Sequence, residues 1–125
     1  MGSGISLDQR YLEMQRSLRE KVPERHLEFL RGLKPHHVEG DYLFVHAGIQ
    51  PGIPLDQQVS QDLLWIRDEF LYSKTDHGHC VVHGHTIVSQ PEFLPNRIAI
   101  DTGAYFSNTL TCLVLEGSIQ RILQT

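Results

Sequence analysis

Apolar and polar positions along this chain follow two rhythms. Leu7, Tyr11, Met14 and Leu18 recur three or four apart, the spacing of one helix face. Ser6-Leu7-Asp8-Gln9 has the form of a capping box, so the pattern predicts an N-cap at Ser6 and a helix to about Lys21. Pro23 stops that helix and suits the start of the next, which carries His26, Leu27, Phe29, Leu30 and Leu33. Gly32, Pro35 and Gly40 then mark a loop, with His36 and His37 in it as solvated residues. From there the rhythm shortens. Tyr42 to Ala47, Cys80 to His83 and Asn96 to Asp101 read as strands, and Thr109 to Leu115 and Ser118 to Leu123 as a hairpin turned by Glu116-Gly117. One helix intervenes: Ser60 is its expected cap, and Leu63, Leu64, Arg67, Phe70 and Leu71 recur at helical spacing. Helices first, then mostly strands, predict an α/β, layered α+β, piece: one mostly β half with helices on one face of its sheet. No internal repeat or second domain is visible, and residues 1–125 read as a single partial domain.

Composition narrows the partners. The 40% apolar content is enough for a core, and the net charge of −4 without a basic run argues against a nucleic-acid footprint. No apolar run reaches membrane-spanning length, and Met1-Gly2-Ser3-Gly4 lacks the apolar core of a signal peptide. Cys80 and Cys112, both in apolar strand-like contexts, read as reduced buried thiols, which fits a cytoplasmic protein. Eight histidines are the one excess.

The histidines carry the candidate chemistry. Val81-Val82-His83-Gly84-His85-Thr86 runs a buried strand into a turn, and Tyr42-Leu43-Phe44-Val45-His46-Ala47-Gly48 does the same earlier. A side chain at the end of a strand is held rigidly at the rim of the sheet, so His46 and His85 could converge on one metal or phosphate. His77, His79, His83 and His85 could instead make a four-histidine zinc site, although His77 sits beside Gly78 in a connector and the pairs are close in sequence. His77, His79 and His83 read more simply as loop or packing residues, one of them able to orient a ligand. Trp65, the only tryptophan, reads as a packing anchor.

Taken in order, FVHAG, LLWIR, VVHGHT and IAIDTGAY resemble the second half of a calcineurin-like metallophosphoesterase. The similarity is to the branch of PPP-type Ser/Thr protein phosphatases and symmetrical dinucleoside tetraphosphatases, and it covers roughly residues 24 to 123. It implies part of a β-sandwich fold and a phosphoester hydrolase in which metal-activated hydroxide attacks phosphorus. It also implies two divalent metals (manganese, iron or zinc) in the complete enzyme. His46 and His85 would bind one of them, and Arg67 would grip substrate phosphate through its planar fork. The substrate would be a phosphorylated protein or a dinucleoside polyphosphate. The family's first-half motifs GDxHG, GDxxDRG and GNHE/D do not occur in the chain. The expectation is therefore a C-terminal half, inactive alone, with at most one weak metal site and no catalytic residue of its own. Ile87 stands where relatives often have proline, and Asn108 where glycine is common, but neither departure removes a ligand.

Two further expectations follow. Asp101-Thr102-Gly103 after Ile98-Ala99-Ile100 also spells the turn of a retroviral-type aspartic protease, but that turn comes early in such proteases and only residues 104–125 follow it here. If a first half is needed to cover the sheet, then Leu43, Val45, Val81, Ile98, Ile100, Leu113 and Val114 would be partly uncovered. The chain would then form a homo-oligomer or depend on the missing half. A non-catalytic interaction or folding module is the other class of function left open.

Overall fold

A computed structural model describes residues 6–125, so the reading of Met1-Gly2-Ser3-Gly4 falls outside the described part. The chain is α/β and divides into two compact units, one up to Lys34 and one from Pro35 to Thr125. The first holds helices α1 (Leu7–Lys21) and α2 (Glu24–Arg31). The capping box is formed as expected: Ser6 Oγ accepts from the Gln9 amide at 3.2 Å, and Gln9 Oε1 accepts from the Ser6 amide at 3.3 Å. Pro23 is the N-cap of α2, and Leu33 lies beyond its end.

The second unit is built on a five-stranded mixed sheet, β1 (His36–Glu39), β2 (Tyr42–Val45), β3 (Cys80–His83), β4 (Glu92–Phe93) and β5 (Arg97–Ala99), in the spatial order β1-β2-β3-β5-β4. β2, β3 and β5 run parallel, with β1 and β4 antiparallel at the edges. His36 and His37 thus belong to a strand, paired with Val45 and Phe44, because the Gly40 turn folds them back onto β2. β4 and a four-residue helix, α5 (Ala104–Ser107), had no signature in the sequence pattern.

Alternation along the parallel strands assigns the two faces. Leu43, Val45, Ala47 and Val81 point to one face and pack with Ile49, Leu63, Ile66 and Phe70. The expected helix from Ser60 to Leu71 is two short helices, α3 (Ser60–Trp65) and α4 (Asp68–Leu71), and Ser60 is the first helical residue, not the cap. The break has a packing reason: with Ile66 extended at ψ 144°, both Ile66 and Phe70 reach the core. The opposite face carries Tyr42, Phe44, Val82 and Ile98. A separate hairpin, β6 (Thr111–Glu116) and β7 (Ile119–Gln124), reaches it through a Gln120-to-Tyr42 hydrogen bond of 2.9 Å. Its turn is Gly117-Ser118, one residue later than expected, since Glu116 still pairs with Ile119.

The residues expected to be partly uncovered divide into two groups. Leu43, Val45, Val81 and Ile98 are buried, and Ile100, Leu113 and Val114 are half-buried. α3 and α4 close one side, and the hairpin stands toward the other. Of the two cysteines, Cys80 is half-buried, but Cys112 is exposed on the outer side of the hairpin. Among the described residues no helix is long and apolar enough to cross a membrane.

Candidate functional site

The carboxyl ends of β2, β3 and β5 meet at one rim of the sheet, the place where open sheets with parallel strands usually bind ligands. The ladder continues past the formal strands. The His46 carbonyl accepts from the Gly84 amide at 2.8 Å, and the His83 carbonyl accepts from the Ile100 amide at 3.0 Å. Gly84 sits in this crowded joint, where an added Cβ would be 3.3 Å from Cβ of Asp101. A side chain there would have to push Asp101 back by a few tenths of an ångström.

This joint brings the two strand-end histidines together. The rings of His46 and His85 are 5.1 Å apart, centre to centre. Both, with Gly84 and Asp101, border a cleft of about 360 Å³. Nε2 of His85 is buried and has no hydrogen-bond partner among the described residues. A buried nitrogen left without a partner is costly, and a ligand at that position would satisfy it. Burial lowers the pKa of His85, helped by the charges of Arg67 and His46 and opposed by Asp101. The imidazole is thereby biased to its neutral form, the one that binds metals.

Arg67 lies between α3 and α4, where the helix break turns it out of the helical path. Its Nη1 donates to Thr86 Oγ1 at 2.9 Å, one residue beyond His85. An exposed guanidinium is thus held next to the histidine pair with most of its donors still free for an anion. Trp65 is not a packing anchor. It is 61% exposed and stands edge-on to His85 at 5.6 Å, walling the site. Asp101 is engaged in its own turn, accepting from the Gly103 amide at 3.0 Å, while Thr102 is buried and donates to the Thr109 carbonyl at 2.7 Å.

The four-histidine arrangement does not form. His77 and His83 both pack against Phe70, at 5.7 and 5.0 Å, rather than converging with His85. Among the described residues, no three His, Cys, Asp or Glu side chains come together as a group able to hold a metal. The residues overlooked in the sequence are Thr86, Arg97 and Glu92. Arg97 had a readable signal: a charge at an inward position of a short apolar strand is buried only if something pairs with it. It is 6% exposed and donates from Nη2 to Glu92 Oε2 at 3.2 Å.

No protein-family model matches the chain, and no curated protein matches it.

Proposed function

We propose that this chain supplies the histidine side of a metallophosphoesterase centre, and that the complete enzyme hydrolyses a phosphoprotein or a dinucleoside polyphosphate. The observation that carries the reading is the pairing of His46 and His85, with Nε2 of His85 buried and unpartnered, beside an arginine fixed by Thr86. The motifs FVHAG, LLWIR, VVHGHT and IAIDTGAY add to it. His46 and His85 would hold one divalent metal, whose Lewis acidity would polarise phosphate oxygens and activate water. Arg67 would bind two phosphate oxygens in its fork, and Trp65 would shield one side of His85 from solvent. Two imidazoles are too few to close a site, so the remaining carboxylate and amide ligands, and the proton donor to the leaving group, would come from a first-half polypeptide.

The test is reconstitution. The chain is mixed with manganese and a polypeptide carrying the GDxHG, GDxxDRG and GNHE/D motifs, and hydrolysis of an aryl phosphate is followed. Turnover should require both polypeptides and should disappear with His85→Ala. Turnover that survives His85→Ala, or calorimetry that finds two tight metal sites on this chain alone, would overturn the reading.

A further inference from the structure

We propose that Glu92, Arg97 and His83 form a relay, buried at Arg97 and His83 and reaching the surface at Glu92, that holds the turn at His85 and so aims its imidazole at His46. His83 and Arg97 are then positioning residues. The inference rests on the reading of His46 and His85 as the binding pair.

His85 has a backbone φ of +63°, a conformation that residues with a side chain rarely adopt. The turn is closed across it by a single bond from the Thr86 amide to the Gly84 carbonyl, 2.7 Å long. A three-residue turn of this hand is rare and strained, and persists only where its surroundings hold it.

The same Gly84 oxygen has a second neighbour, Nδ1 of His83 at 3.2 Å. The chemistry of the other ring nitrogen decides which way the proton points. Nε2 of His83 is 3.2 Å from Nη1 of Arg97, and a guanidinium has only donors. Nε2 therefore presents its lone pair, and Nδ1 carries the hydrogen and donates it to Gly84. Arg97 is held in turn by Glu92, which is half-exposed on the edge strand β4. His83 is 2% exposed, with Phe70 edge-on behind it.

A buried arginine is an expensive way to fill space. An apolar residue of similar volume usually serves a core as well or better. Arg97 also leaves its Nε without a partner among the described residues. What it does that an apolar residue cannot is fix the tautomer of His83, and with it the second hydrogen bond to the strained carbonyl.

The experiment uses the full chain, labelled with ¹⁵N. A long-range imidazole spectrum at neutral pH should show His83 protonated on Nδ1 and bare on Nε2, and the opposite tautomer would overturn the relay. Hydrogen exchange of the Thr86 amide is then compared with that of the Ala47 amide, which donates to the Leu63 carbonyl away from the relay. In Arg97→Met the ratio of Thr86 to Ala47 exchange should rise about tenfold, and Arg97→Lys, which keeps a donating cation, should restore part of it. If Arg97→Met does not fold, Glu92→Gln replaces it, with an expected rise of about threefold. An unchanged ratio in a folded variant overturns the proposal. Titration of the unsubstituted chain with manganese keeps the two readings apart. No binding there, even with the first half present, would remove the metal-site reading and leave the exchange result to decide the relay.

Discussion

Arg67 owes its placement to a residue 19 positions away, since among the described residues only Thr86 holds its guanidinium. Arg67→Ala should weaken phosphate binding to the reconstituted site by about ten- to a hundredfold, the range for a charge-assisted pair. Thr86→Val should lose less, because the guanidinium stays but wanders; inhibition by inorganic phosphate measures both. Equal losses would mean that Thr86 itself touches the anion. Single residues also set the core. An added methyl at Gly48 would run into the Phe70 ring, so Gly48→Ala should cost about 1–3 kcal/mol, read from its urea midpoint. His46 and His85 were singled out in the sequence because strand ends announce themselves through glycine, and Arg67 only because LLWIR resembles a phosphatase motif. Trp65 was not, because helical spacing tells which face a residue shares but not what lies across from it.

Among the elements, the short ones escaped the sequence. β4 has two residues and α5 four, too few for either periodicity to register. β1 was hidden because two histidines before a glycine turn look like loop, and only their pairing with β2 makes them strand. The break between α3 and α4 was also invisible, since Leu63, Ile66 and Phe70 fit one continuous helix almost as well. Phe70 is the joint of this arrangement. It is fully buried and touches Gly48, His77 and His83. Phe70→Ala should destabilise the unit by about 3–5 kcal/mol, and it should loosen the His83 ring as well. Denaturant unfolding gives the first effect and His83 line widths the second.

For the whole molecule, His83 ties stability to pH. Burial pushes its pKa down from 6.5 to about 4; the bond to Gly84 works against this shift, and Arg97 adds to it. Above pH 6.5 neither folded nor unfolded chain protonates this ring, so the full stability is present. Between pH 6.5 and 4 the unfolded chain takes up a proton that the folded one rejects, and stability falls by about 3 kcal/mol in total. Melting temperatures across that window should drop in the native chain and drop less in a folded His83→Gln variant. The surface makes a separate demand. Phe106, Leu110, Ile119 and Leu123 are between 49% and 65% exposed, around and on the outer side of the hairpin. Light scattering should show self-association that Ile119→Lys with Leu123→Glu abolishes; a monomer at high concentration would show that this surface is inert.

β2 and β3 lie side by side, yet residues 46–79 separate them in the chain. Hairpin β6–β7 closes over two residues and can form within roughly 1–10 μs, whereas a parallel pair must first close a long loop. The order of events on the ribosome differs again. β2 emerges roughly two to seven seconds before β3 at ordinary rates of synthesis. During that interval Leu43 and Val45 have only β1 beside them, and His46 is a lone imidazole at the open edge that β3 will cover. The histidine pair is therefore born late, in the same event that brings Val81 against Leu43 and Val45.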